Sequence, residues 1–421
     1  MSGYIRRTRQ EKPAPSSPTD FYSLRRQRRA SRAAGVRSTV PLLEEIADPE
    51  NLIRVFHSLK RDAGQAPGPD GLTYSDFSNS EAATCMRGLS LAVRSGRYNP
   101  GPCRTITIPK AGGKGFRTLS LRDIADRVVA AALNDVLAPF WEGIFLPNSM
   151  GFRPGRGVWD MLLAMERTMV GQNLWVVTTD DIRNAFDNVN IDQLMDDHRR
   201  YILDPKLLNL IEKVLRGAST AGRTTGIEQG GSYSPTALNV RLHHAHDLGL
   251  GQGSLTPSFF RYADNLVFLT RDVPEGLQVL SRSRDLLLSH GFTLKSEDGP
   301  PVDLLQGGKV NILGFLLSAG DGRMCLGLGE TAWRGLERDL GRAHEGFNPP
   351  LLAEQAVKGW LAAYGPAFES TRRDVLECVL RIAARHGFRE IGSPEELWRV
   401  WQSSWECWNR RRKACGKGLQ D

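Results

Sequence analysis

The period of apolar and polar positions changes along the chain, and each change marks an element. Arg104-Thr105-Ile106-Thr107-Ile108-Pro109-Lys110 alternates with period two. After a glycine-rich turn, Arg117-Thr118-Leu119-Ser120-Leu121 does so again, which predicts a two-stranded hairpin. From Asp126 to Leu133 and from Val158 to Val170 the spacing is helical. Leu174-Trp175-Val176-Val177-Thr178-Thr179 is a near-continuous apolar or β-branched run, the pattern of a buried strand. In Phe259 to Leu269 two aromatic-rich apolar runs flank Ala263-Asp264-Asn265, which predicts a hairpin with Asp264 and Asn265 at its tip. Glu275 to His290 reads as a helix, and Gly291-Phe292-Thr293-Leu294 as a restarted strand. Pro41 to Phe56 has helical spacing, and beyond residue 330 the pattern is helical throughout: Thr331 to Glu345, Leu351 to Tyr364, Thr371 to His386 and Pro394 to Lys413.

Composition adds a basic arm. Residues 1–38 hold ten Lys/Arg against Glu11 and Asp20, an excess equal to the +8 of the whole chain, so the remainder is balanced. With Pro13, Pro15, Pro18 and several serines the arm reads as disordered. Such an arm gains affinity for phosphate backbones through counterion release. The 421 residues, 40% hydrophobic and 24% charged, suit a globular protein of two or three domains. Six cysteines without a Cys-x-x-Cys pair point to thiols in a reducing cytoplasm. No apolar stretch reaches the length of a membrane span, and no apolar core follows Arg6-Arg7, so neither membrane nor secretion is expected.

Several polar residues stand where chemistry could use them. Asp264 on a rigid turn is well placed to hold a metal, although Asp and Asn also simply suit turns. The Leu174 strand delivers Asp180 and Asp181, only one of which can face a given side. Lys110 and Arg117 lie seven residues apart across the first hairpin, where two cations could reach one triphosphate. Gly64 to Thr73, with three glycines and two prolines, must form a structured loop. His243, His244 and His246 invite a metal reading, but no two are at i, i+4. Trp398, Trp401, Trp405 and Trp408 form a helical stripe that reads as a core face, and Arg410-Arg411-Arg412-Lys413 after it could touch a duplex.

Taken together these segments resemble reverse transcriptases of the group II intron-like and retron-like bacterial branch. Tyr262-Ala263-Asp264-Asn265 resembles the Tyr-x-Asp-Asp box, with Asn in the last place. Asp181-Ile182-Arg183-Asn184-Ala185-Phe186-Asp187 is similar to Asp-Ile-x-x-x-Phe-Asp and selects Asp181 over Asp180. Gly151-Phe152-Arg153-Pro154-Gly155-Arg156-Gly157 resembles the branch's signature, with Arg153 and Arg156 as implied nucleic-acid contacts. Gly226 to Leu242 resembles Gly-x-x-Gln-Gly-x-x-x-Ser-Pro-x-x-x-Asn-x-x-Leu, and implies Gln229 near the nucleotide and Ser234, Pro235 and Asn239 around the templating pair. Ile312-Leu313-Gly314-Phe315 resembles a primer-gripping turn, and Gly68-Pro69-Asp70-Gly71-Leu72-Thr73 the segment before the fingers.

The resemblance implies an α+β right-hand polymerase: the basic arm over 1–38, fingers and an antiparallel palm over 39–330, and a helical thumb-like domain over 331–421. It implies an RNA-directed DNA polymerase that extends a primer on an RNA template into DNA by two-metal-ion catalysis. Asp181, Asp264 and the carbonyl of Ile182 would hold Mg2+, with Lys110 and Arg117 on the triphosphate. Phe186 would exclude a 2′-hydroxyl, although core packing is its other reading. Asn265 brings no negative charge, which weakens metal affinity or shifts preference to Mn2+. The family's Glu-Lys-Thr is replaced by Glu297-Asp298-Gly299, leaving Lys295 as a weak stand-in. The chain ends without an HNH signature, a zinc motif or an RNase H-like acidic set, which favours a free-standing, defence-associated enzyme bound to a structured RNA. The rival is a catalytically degenerate, maturase-like RNA-binding protein of the same fold.

Overall fold

Strand pairing organises the molecule, seen here in a computed structural model. The structure describes residues 43–62, 64, 66–109, 116–218, 223–252, 258–296, 299–368 and 374–417, all within the unit Val40–Asp421. The basic arm, Lys110, Glu297 and Asp298 lie outside the described residues. Strands β1 (Cys103–Pro109) and β2 (Phe116–Arg122) form the first hairpin. The central sheet joins β3 (Val176–Asp181), β4 (Ser258–Tyr262), β5 (Asn265–Thr270) and the short β6 (Val302–Asp303) in the order β4-β5-β3-β6, all antiparallel. A third sheet contains β7 (Val310–Ile312), β8 (Phe315–Gly320) and β9 (Arg323–Leu328). This is the α+β composition, with an antiparallel centre, of a right-hand polymerase.

The uniform hydrophobicity of β5 has a direct cause. Successive strand side chains point to opposite faces, so a sheet covered on both sides needs apolar residues at every position. Leu266 and Phe268 enter one apolar cluster with Phe259, Ile182 and the helix Ile124–Glu142. Val267 and Leu269 enter another with Phe260, Val177, the helix Val158–Gln172 and the C-terminal helices. Each such buried side chain contributes about 1.5–3 kcal/mol.

Four helices after β9 span Glu330–Ala343, Pro349–Tyr364, Asp374–Arg385 and Pro394–Lys417. In the last, Trp401 and Trp408 are each 1% exposed: Trp401 meets Phe368 and Trp398 edge-on, and Trp408 meets Trp159. The stripe is a core face. Within its basic end, Arg412 pairs with Glu166 and Arg411 with Asp160 on the helix Val158–Gln172. Arg410 and Lys413 are exposed, so of the four residues read as able to touch a duplex two are held by this docking and two face outward. Another correction concerns Gly291–Leu294, which forms only an isolated bridge between Leu294 and Ile182. Ser296, with φ of 57°, turns the chain away, and the strand beside the start of β3 comes later, at Val302–Asp303.

Buried histidines make stability depend on pH. His198 Nδ1 lies 2.7 Å from the Leu194 carbonyl and so donates, leaving Nε2 to accept from the Tyr233 hydroxyl at 2.6 Å. This pair fixes a neutral tautomer, and burial pushes the His198 pKa down to about 4. Burial likewise lowers His243, His244 and His246. A His whose folded pKa is depressed binds a proton more readily in the unfolded chain, so stability rises with pH between the two values. The melting temperature should therefore fall as pH drops from about 6.5 toward 4, with His198 alone worth on the order of 3 kcal/mol at the acid end. Asp126 and Asp197, raised by burial, oppose this just above the ordinary carboxylate range. Melting curves across that window test it, and a temperature that holds constant refutes it. No described helix is long and apolar enough to cross a membrane.

Candidate active site

Two carboxylates from distant segments meet at one end of the central sheet. Antiparallel register sets Asp181, last in β3, opposite Asn265, first in β5. Tyr262 and Asn265 close a two-residue turn whose tip is Ala263-Asp264, one position earlier than expected from sequence. Such turns need positive φ at the first tip residue to match strand twist, and Ala263 has φ of 59°. The Ile182 N–H donates to the Asp264 carbonyl at 2.9 Å, which locks the two segments together. The Asn265 amide points at the Tyr262 carbonyl (3.3 Å) and at Asp264 Oδ1 (3.4 Å). Asp180 faces away, 3% exposed, and its Oδ1 accepts from the N–H groups of Asp181 and Ser296. Asp181 is the partly open member of the pair, with its side chain 26% exposed.

A cation already stands on Asp181. Lys295 Nζ lies 2.6 Å from Asp181 Oδ2, and the Lys295 N–H donates to the Asp181 carbonyl at 2.8 Å. The lysine named as a weak stand-in therefore reaches the site directly, brought there by the bridge at Leu294.

Beneath the hairpin lies a polar network centred on Arg261, which is 0% exposed. Its guanidinium forks onto Asp247, with Nε at 2.9 Å from Oδ1 and Nη2 at 2.6 Å from Oδ2. It also donates to Ser149 Oγ (2.8 Å), Asn239 Oδ1 (2.7 Å) and the Ala263 carbonyl in the turn itself (3.0 Å). Burial works against the Asp247 carboxylate, but the charge of Arg261 prevails and holds it well below the usual range. Asn239 Nδ2 continues the network to the Gly151 carbonyl at 2.8 Å. Gly151 lies so close under the turn that a Cβ there would come 2.2 Å from the Ala263 nitrogen. Sequence reading missed Arg261, Asp247 and Ser149. The one sign of them was a charged residue inside an apolar strand, which a fold tolerates only when it is paired.

The remaining residues divide between outward and inward roles. Phe186 is half-buried, and its carbonyl accepts from the Ile227 N–H at 2.9 Å. Gln229 is half-buried on the same loop, with its carbonyl accepting from the Ser120 N–H, which ties that loop to β2. Arg122 strengthens the tie through a fork onto Glu228, with Nε at 2.7 Å. Arg117 sits opposite Ile108 in the hairpin, its side chain outside the described set. Arg153 is turned inward: 5% exposed, it donates to Glu142 and to the carbonyls of Leu146 and Ser149. It braces the loop and has no open donor for a phosphate, unlike the expectation. Arg156 shares Glu142 and remains half-buried. Ser234 and Pro235 open the helix Ser234–Leu242, Ser234 being 7% exposed, and Asn239 is wholly buried in the network above. Gly314, with φ of 90°, follows Leu313 at 50° in a two-residue hairpin beneath the Tyr364 hydroxyl. His246 bonds Asp247 and Ser283 in the interior.

The donor set suits a divalent ion. Two carboxylates, Asp181 at the end of β3 and Asp264 in the adjoining β4–β5 turn, offer the hard oxygen ligands that Mg2+ accepts, and the Lys295 ammonium shows that positive charge is accommodated on Asp181.

The reverse transcriptase (RNA-dependent DNA polymerase) family matches residues 108–297, the span that carries Asp181, Phe186, Gln229 and Asp264. Protein YkfC of Escherichia coli is 31% identical over 212 residues, covering 48% of this chain and 55% of YkfC. The group II intron-encoded protein LtrA of Lactococcus lactis is 31% identical over 163 residues, covering 38% of this chain and 27% of LtrA. Nuclear intron maturase 1, mitochondrial, of Arabidopsis thaliana is 30% identical over 184 residues, covering 39% and 26%. The chain thus spans about half of YkfC and about a quarter of the other two. Residues 108–297, built around Asp181 and Asp264, thus match the reverse transcriptase family, and group II intron-encoded proteins are among the proteins this chain is similar to.

Proposed function

We propose that this protein is an RNA-directed DNA polymerase that extends a primer on an RNA template with deoxynucleotides. The observation that carries the reading is the meeting of Asp181 and Asp264 across β3 and the β4–β5 turn, within a span that matches the family. Mg2+, or Mn2+, bound there would supply the charge needed at the primer 3′-oxygen and the departing pyrophosphate. Asp181, Asp264 and the Ile182 carbonyl would hold it, while Lys110 and Arg117 would take the triphosphate and Phe186 would lie under the sugar. Gln229, Ser234, Pro235, Arg156 and Gly314 would contact the nucleic acids, one of them a specific structured RNA. We place the enzyme in the cytoplasm and, on the departure at Asn265, in antiviral defence.

The test is extension of a primer on an RNA template by the purified protein, wild type beside Asp264→Ala, with Mg2+ or Mn2+ and each nucleotide class, and challenge by phage of cells carrying the same two proteins. Deoxynucleotide extension supports the polymerase reading. A second reading has its own support: Asn265 lowers the negative charge at the site and Lys295 already neutralises Asp181. It makes the chain a maturase-like RNA-binding protein, and it predicts RNA binding without extension.

A further inference from the structure

Phe152 is a large side chain in an unfavourable place. Its φ of 59° lies in the left-handed region that a bulky residue rarely adopts, and the residue is 45% exposed. Its ring meets Phe186 nearly edge to face, with centroids 6.1 Å apart and planes at 68°. Both backbones are pinned. Phe152 follows Gly151, which is wedged under Ala263 and held by Asn239, and Met150, whose N–H donates to the Arg261 carbonyl at 2.7 Å. Phe186 is held through its carbonyl by Ile227. The contact therefore joins two anchored segments, one built into the hairpin of Asp264 and the other following Asp181.

We infer that Phe152 is a positioning residue for nucleotide choice: its ring backs that of Phe186 and keeps it upright against the sugar. This rests on the reading of Phe186 as the residue under the sugar. Phe186 is only half-buried, so core packing alone leaves its ring room to tilt, and the Phe152 ring is in contact with it. An edge-to-face pair favours one mutual orientation, and its loss would let the Phe186 ring lean away and admit a 2′-hydroxyl.

The experiment measures kcat/KM for a deoxynucleotide and its ribonucleotide on one primer and RNA template. It compares wild type, Phe152→Ala, Phe152→Tyr, Phe186→Ala and the double Phe152→Ala/Phe186→Ala. The ratio of the two values cancels any loss of folded enzyme, so a merely structural role leaves it unmoved. Phe152→Ala should lower discrimination roughly 3- to 10-fold, Phe152→Tyr should restore it, and the double variant should match Phe186→Ala. A ratio unmoved by Phe152→Ala but lost in Phe186→Ala overturns the role of Phe152 alone. Losses that multiply in the double variant overturn it too, because Phe152 would then act independently of Phe186. Wild type that extends nothing, or Phe186→Ala that discriminates normally, removes the underlying reading and this inference with it.

Discussion

Asp264→Ala should abolish primer extension, by roughly 10³-fold or more, since a metal clamp supplies several kcal/mol of charge stabilisation in the transition state. Asp264 is at the turn tip, where its loss removes a carboxylate without touching the core, so the variant should fold and melt like the wild type. Asn265→Asp should act in the opposite direction on the metal. The new carboxylate would stand opposite Asp181 in the register and beside Asp264, where the amide now donates toward Asp264 Oδ1. Three carboxylates attract a divalent ion more strongly than two, so the Mg2+ concentration giving half-maximal extension should fall several-fold, and any preference for Mn2+ should narrow. Extension titrated against each metal decides the matter. Equal activity in wild type and Asp264→Ala would refute the assignment, and RNA binding without extension in either would favour the maturase-like reading.

The second large effect is expected at Arg261 and Asp247. Removing one partner leaves an uncompensated charge at a fully buried site, which costs about 3–5 kcal/mol. Asp247→Asn and Arg261→Met should each lower the melting temperature on the order of 10 °C. Replacing both, as Arg261→Met with Asp247→Leu, removes the buried charges together and should recover much of that loss. Extension should remain impaired, because Arg261 also donates to the Ala263 carbonyl and to Ser149, and those bonds orient the turn that presents Asp264. A double variant that regains both stability and extension would show the network to be a stabiliser only.

How legible these features were depended on the distance over which their cause acts. The strand character of β3 and β5, the hairpin between β4 and β5 and the selection of Asp181 over Asp180 follow from a side-chain period of two and from short motifs, so they could be read locally. Asp204-Pro205 is a local signal of the same kind: the Asp204 side chain accepts from the Lys206 and Leu207 N–H groups and caps the helix Pro205–Arg216. The Tyr262 pair partner is Asn265, which moved the turn tip by one residue, because turn type depends on backbone φ values that side-chain pattern leaves open. The inward face of Arg153, the fork of Arg261 on Asp247, the pairing of Lys295 with Asp181 and the contact of Phe152 with Phe186 belong to a different class. Their partners lie 11, 14, 114 and 34 positions away along the chain. Residue identity tells which groups cannot be buried alone, and it does so at once for a charge in an apolar strand. Which group answers that need is decided only when packing of the sheet against its helices brings separate segments within hydrogen-bond reach.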